Sequence, residues 1–298
     1  MTMDAALMSP PRRLSVPIDN RWGAGEMAVM DFGDPRRPVD LVFSHANGFN
    51  AATYRSVLAP LSASLRIWAP DLRGHGRTTL PTRTHRRWDW RDHRDDLIAL
   101  LDAVEGPPVV LSGHSMGGTS ALLAAAERPE RTAGLVLFDP VIWSRATSLL
   151  FRLPVMRAGL YNNPLARTAR RRRSAFESRE QALAAYRGRG AFRGWPDAAL
   201  ADYLSDGLVE GEGGYALSAT PEWEASNYAA QSHDPWRALR RYGGRTRIVK
   251  AEIGSTCHVP ASAADNGRRR VEVVTGVRHL FPMTEPEVVR SALLDAAV

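Results

Sequence analysis

The chain has 298 residues, 44% hydrophobic and 24% charged. That is enough to bury a large core, either as two domains or, the expected organisation, as one α/β domain carrying an insertion, and no run approaches the roughly 18 apolar residues of a membrane span. The net charge of +7 comes almost wholly from arginine interleaved with acids, as in Arg91–Asp96, and no nucleic-acid motif accompanies it, so nucleic acid is not an expected partner.

Met1–Pro10 lacks a basic start followed by a long apolar core, so no secretory signal is expected and the cytoplasm is the expected compartment. The single cysteine, Cys257, excludes an internal disulfide framework and a cysteine-based metal site, and reads as a small core or loop residue. Val39–Ser44 then reads as a short apolar strand, Ala52–Leu61 as a helix and Leu65–Pro70 as the next strand. Arg91–Val104 is an amphipathic helix, with Leu97, Leu100, Leu101 and Val104 at helical spacing. Val109–Ser112 is a strand, Met116–Glu127 a helix and Ala133–Phe138 a further buried strand. Strands at Thr246–Ala251 and Val271–Val274 and a helix at Pro286–Ala297 complete the alternation. Near-continuous Val/Leu/Ile strands separated by helices predict an α/β fold with a mostly parallel sheet covered on both faces. The rhythm breaks between Ile142 and Trp236, where the signals are helical and strand-poor. The expected division is therefore a core over 1–141 and 237–298 with a helical lid inserted over 142–236.

The most specific stretch is Val109–Gly118, an apolar run ending in Gly113-His114-Ser115-Met116-Gly117 and continuing as helix. A strand that turns sharply into a helix brings backbones close together, which favours glycine on either side of the serine, and it holds the hydroxyl beside the unpaired N–H groups of the helix N-terminus. Such a strand–turn–helix suits a nucleophilic serine facing a developing oxyanion.

On this motif, on Ser44-His45-Ala46-Asn47-Gly48-Phe49-Asn50 after an early strand, and on Pro70-Asp71-Leu72-Arg73-Gly74-His75-Gly76, the chain resembles the α/β-hydrolase superfamily on both flanks of the insertion. The resemblance implies an α/β-hydrolase fold with a nucleophile elbow at Ser115 and an oxyanion hole formed by the backbone N–H groups of Asn47 and Met116. It implies that His45 fixes its loop and that Asp71 and His75 are structural. Ala46 departs from the glycine usual in that loop.

A serine hydrolase needs a base near the hydroxyl and a carboxylate that orients the base. Of eight histidines, His279 alone follows the last predicted strand in a loop before the final helix, where the family carries its base. His85, His93, His233 and His258 read as core or solvated residues; His114 is expected to point away from Ser115, with a helper role open. The acid departs from the usual pattern, because Gly254 stands where Gly-x-x-Asp would place an aspartate. Asp139, at the end of the strand after the elbow helix, is the expected acid, since a subset of the superfamily carries it there, and Glu252 is the alternative.

These roles imply attack by Ser115 on an acyl carbonyl, an acyl-enzyme and hydrolysis assisted by His279, with no metal or organic cofactor. The aromatic insertion suggests an apolar acyl group, with Phe49, Trp143 and Trp223 as expected substrate-binding residues. The expected partner is a small-molecule carboxylic ester. An acyl-CoA thioester is the alternative, because Arg170–Arg173 is either an exposed helix face or an attractor of phosphate. A small-molecule receptor on the same fold stays open.

Overall fold

The computed structural model describes residues 10–262 and 267–297, so the stretch read for a secretory signal lies, up to residue 9, outside the described residues. An eight-stranded sheet organises the chain. Its strands are β1 (Arg12–Asn20), β2 (Gly23–Phe32), β3 (Leu41–Ser44), β4 (Ile67–Pro70), β5 (Val109–His114), β6 (Thr132–Phe138), β10 (Thr246–Ile253) and β11 (Arg269–Arg278), in the order β1-β2-β4-β3-β5-β6-β10-β11. From β4 to β11 all pairings are parallel, while β1 and β2 join antiparallel. β3, β4 and β5 are buried along their whole length, which is why they are written as unbroken apolar runs.

The hairpin β1–β2 has no counterpart in the sequence reading. Val16 and Ile18 face the core, and Pro17 between them faces solvent. Proline is tolerated because β1 is an edge strand, where its missing N–H removes no ladder bond. The predicted helix Ala52–Leu61 is also more broken than its composition suggests. It is a 3₁₀ turn (Ala51–Tyr54), a single α turn, α1 (Arg55–Leu58), and a second 3₁₀ segment (Ala59–Ala63) containing Pro60, which supplies no N–H to continue an α-helical ladder. Asn50 starts it in a capping box with Thr53.

Helices α2 (Arg91–Ala103), α3 (Met116–Glu127) and α10 (Pro235–Tyr242) cover one face of the sheet, and α1 with α11 (Pro286–Ala297) covers the other. Between β6 and α10 lie the helices α4 (Arg145–Leu150), α5 (Pro154–Leu160), α6 (Pro164–Arg170), α7 (Arg179–Tyr186), α8 (Asp197–Gly207) and α9 (Pro221–Ala229). The same stretch holds a second sheet of β7 (Ala175–Phe176), β8 (Leu208–Gly211) and β9 (Gly214–Leu217), ordered β7-β9-β8 and antiparallel. Strands of two to four residues are too short to show a period of two, so the sequence signal there was only helical. The expected lid boundary at residue 236 falls inside α10, which packs on α3.

Candidate active site

The C-terminal ends of the parallel strands converge on one rim. β5 ends at His114 and turns at once into α3 through Ser115, whose backbone sits at φ 54°, ψ −118°. Its N–H is donated to the Phe138 carbonyl at 2.9 Å. A Cβ on Gly117 would lie 2.3 Å from the Ser44 carbonyl oxygen, and one on Gly113 would lie 2.6 Å from the Gly117 carbonyl carbon. No side chain fits at either position, so the two glycines of the motif are dictated by the packing of α3 across β3 and β5. Ser115 is 7% exposed.

Three residues far apart in sequence form one hydrogen-bonded chain. His279 Nε2 lies 3.0 Å from Ser115 Oγ, and His279 Nδ1 lies 2.5 Å from Asp139 Oδ2. Asp139 follows β6 with φ 41°, and its side chain also accepts from Ser255 Oγ and from the N–H groups of Ala251 and Thr256, both at 3.2 Å. Burial alone would raise this carboxyl, but the bonds from His279, Ser255 and Thr256 outweigh it and hold Asp139 below the usual carboxylate value. The ionised carboxylate therefore fixes the His279 tautomer with Nδ1–H toward Asp139, leaving Nε2 to accept from the serine hydroxyl. Glu252 is exposed and accepts instead from the Gly276 N–H at 2.7 Å, making no hydrogen bond to His279. The loop that lacks an aspartate at Gly254 supplies donors in its place: Ser255 and Thr256 clamp the carboxylate that arrives from β6.

The loop after β3 lies against this chain. The Ala46 N–H is donated to the Tyr54 hydroxyl at 3.2 Å, and the Gly48 N–H to His75 Nε2 at 3.1 Å. Among the described residues the Asn47 N–H between them makes no hydrogen bond, and the Met116 N–H, at the first position of α3, has no intrahelical acceptor. His45 donates Nδ1–H to the Ala46 carbonyl and accepts the Leu72 N–H at Nε2, both at 2.8 Å. His45 and His75 thus clip the loop to the Asp71–Gly76 turn as neutral rings, and burial lowers both pKa values, that of His45 to about 3. Asp71 closes the turn by accepting from Ala51 and Arg77 N–H groups, at 2.8 and 2.9 Å, and burial raises its pKa to about 6. His114 points away from Ser115 yet stays connected: Tyr54 donates its hydroxyl to Nδ1 at 2.7 Å, and Nε2–H is donated to the His279 carbonyl at 2.9 Å. Burial and the neighbouring His279 lower its pKa to about 3, so it remains a neutral strut between the Asn47 loop and the backbone that carries His279.

A sequence model of the Alpha/beta hydrolase family matches residues 41–292. The chain belongs to the α/β-hydrolase family. It is 34% identical over 117 residues to the human (Homo sapiens) monoglyceride lipase, covering 37% of this chain and 38% of that protein. It is 27% identical over 266 residues to an epoxide hydrolase of Caballeronia sordidicola, covering 82% and 74% of the two chains. Among solved structures, E-2-(acetamidomethylene)succinate hydrolase superposes with a TM-score of 0.73 at 22% identity, over 95% of this chain and 98% of that one, a likeness of fold. The chain spans well under half the length of the first curated relatives it matches.

The remaining sequence-predicted residues of this α/β-hydrolase are dispersed. Phe49, buried beside the Asn47 loop, packs against Phe192, Trp195 and Tyr203, with ring centroids 6.3, 5.3 and 5.7 Å away. Trp143 is half-buried, donates to Gln231 at 3.0 Å and packs against Phe151 and His258. Trp223 is buried against Gly74, donates its indole N–H to the Arg73 carbonyl at 2.7 Å and carries Arg87 on its face, so its ring fastens α9 to the sheet rather than joining Phe49. His93 is buried and bonded to Asn227, His233 stacks on Trp90, and His85 and His258 are exposed. Cys257 is buried, which pushes its thiol up to about 12.

Arg172 departs from both readings of the arginine run. It turns inward, pairs with Glu224 at 2.8 Å, donates to the Tyr186 and Tyr203 hydroxyls and lies near the Phe192 ring. The Glu224 carboxyl in turn covers Gly48, where a Cβ would come within 2.9 Å of Glu224 Cδ. Tyr54, Ser255, Thr256 and Glu224 escaped the sequence reading. For Ser255 and Thr256 alone a signal existed, namely two hydroxyl residues in the loop that had lost its aspartate.

Proposed function

We propose that the protein is a serine hydrolase that cleaves a carboxylic ester with an apolar acyl part. Ser115 is the nucleophile, His279 the general base and then the acid that protonates the leaving alcohol, and Asp139 the carboxylate that orients His279 and stabilises its imidazolium form. The N–H groups of Asn47 and Met116 hold the oxyanion. An acyl-enzyme forms on Ser115 Oγ, and His279 then draws a proton from water to release the acid. The segment 142–236 is the cap over this centre, and the Phe49–Phe192–Trp195–Tyr203 cluster beside the Asn47 loop is the apolar wall for the acyl chain.

The observation that carries the reading is the chain Asp139–His279–Ser115, at 2.5 and 3.0 Å, ending at the N-terminus of α3. The test is intact mass after incubation with a fluorophosphonate, for wild type and for Ser115→Ala, Asp139→Asn and His279→Ala, followed by turnover on ester and acyl-CoA panels. Stoichiometric labelling that vanishes in Ser115→Ala and slows in the other two is expected, with esters preferred. Preference for acyl-CoA would move the substrate class to thioesters. A folded wild type that resists labelling would overturn hydrolysis in favour of ligand binding.

A further inference from the structure

The inserted segment carries a surface with two matched properties. Between Pro140 and Phe176 the sequence has eight arginines and no Asp or Glu. Within the same stretch Leu149, Leu150, Leu153, Val155, Met156 and Leu165 are exposed, Leu149 to 63% and Val155 to 83%. α5 has no buried residue, and the exposed leucines of α4 and α6 flank it in sequence. Isolated exposed apolar residues are ordinary, but six within seventeen consecutive positions concentrate exposed apolar surface on one short segment.

This segment sits on a firm backing. α6 packs through Ala166 and Ala169 against Ala225 of α9, Asn163 donates to the Tyr228 carbonyl at 3.1 Å, and Ser232 donates to the Phe151 carbonyl at 2.6 Å. Among the described residues Arg145, Arg167 and Arg171 have no carboxylate partner and are exposed; of the eight arginines, Arg152 and Arg172 are in ion pairs, with Asp234 and Glu224.

We propose that the outer face of α4–α6 docks on an anionic lipid surface. The exposed leucines, Val155 and Met156 enter the boundary between headgroups and acyl chains, while the unpaired arginines meet lipid phosphates. A second copy of the chain fits this face poorly, because a two-fold contact would set one arginine-rich surface against another. Docking of this kind is peripheral, and no described helix is long and apolar enough to cross a membrane.

The test is co-sedimentation of the full chain, carrying Ser115→Ala so that no hydrolysis alters the lipid, with vesicles of phosphatidylcholine alone or mixed with phosphatidylglycerol. Binding to the mixed vesicles only, weakened by added salt, is expected. Each neutralised arginine should weaken it roughly fivefold, so Arg167→Gln with Arg171→Gln should cost about 25-fold. Leu153→Ser with Val155→Ser should cost about tenfold or more. With Ser115 intact, both double variants should keep the wild-type melting temperature and wild-type turnover of a short, water-soluble ester. Absence of binding to the mixed vesicles would overturn the proposal. So would binding that ignores both pairs of substitutions, or a wild-type dimer in sedimentation velocity that Leu153→Ser with Val155→Ser dissociates. The lipid and salt comparison on Ser115→Ala alone decides the matter even if a double variant proves unstable.

Discussion

The glycines of the sheet rim and those of the inserted segment make a useful comparison. At the rim, Gly113 and Gly117 have no room for a Cβ, because backbone from β3 and α3 occupies the space. In the inserted segment Gly188, Gly190, Gly194 and Gly213 have positive φ with nothing within 4 Å of a built Cβ. The same contrast holds for other residues. Ser115 and Asp139 sit at positive φ on the rim, whereas no described non-glycine residue of the inserted segment does. There, α4, α6, α7 and α9 start instead on the local side-chain caps Ser144, Asn163, Ser178 and Thr220. The rim is held in a strained shape by contacts from distant parts of the chain, whereas much of the insertion takes relaxed shapes begun by local caps, Gly214 being its crowded exception, with a built Cβ 2.3 Å from the Phe176 carbonyl oxygen. Chemistry that needs sub-ångström placement belongs on the first kind of scaffold, and an adaptable surface belongs on the second.

The sharpest test of the rim lies in the acid proposed for it. Asp139→Asn should lower kcat by about 10³- to 10⁴-fold while leaving the melting temperature close to wild type, because the amide presents the wrong partner to His279 Nδ1. Glu252→Gln should leave kcat within about twofold, since among the described residues Glu252 bonds the Gly276 N–H and not His279. Steady-state kinetics on both variants make the comparison, and the reverse pattern would transfer the acid to Glu252.

Stability should depend steeply on pH because buried neutral histidines cluster beneath the rim. Burial lowers the pKa values of His45, His93, His114 and His233 to about 3, 4, 3 and 4, and holds that of His75 well below the ordinary imidazole value. As pH falls below 6.5 the unfolded chain takes up protons on these rings before the native one does, so native stability is lost through the window from 6.5 down to about 3. Asp71, raised to about 6, opposes this by at most one proton, since the native state binds a proton there first. Calorimetry should find the melting temperature lower at pH 5 than at pH 7 by on the order of 10 °C; a flat profile would mean that these rings are hydrated.

Gly117→Ala should destabilise the fold by roughly 2–4 kcal/mol in urea titration, because the new methyl meets two backbone carbonyls that have no freedom to withdraw. The matching change in the insertion, Gly194→Ala, meets only the cost of positive φ and should destabilise by about 1 kcal/mol. Equal effects at the two sites would erase the distinction between them. Smallest of all, Ser178→Ala removes the hydroxyl that accepts the Gln181 N–H and should cost about 1 kcal/mol or less, with ester turnover unchanged.

Much of the molecule could be read from the chain alone. The central parallel strands β3, β4 and β5 are legible because burial on both faces demands apolar runs, and the turn at Ser115 is legible because crowded backbone demands glycine on either side. His279 is legible by position, lying between the last strand and the last helix. What the sequence left open is which side chains meet at the rim. Asp139 and Glu252 lie at or near the ends of neighbouring strands, and only the packed structure turns one toward His279 and the other toward Gly276. The Tyr54–His114 strut, the inward turn of Arg172 and the hairpin β1–β2 likewise carry no local signature. Strand runs and glycine turns are dictated by each residue's own backbone environment, whereas these features depend on contacts between segments far apart in the chain, and only the folded sheet brings those segments together.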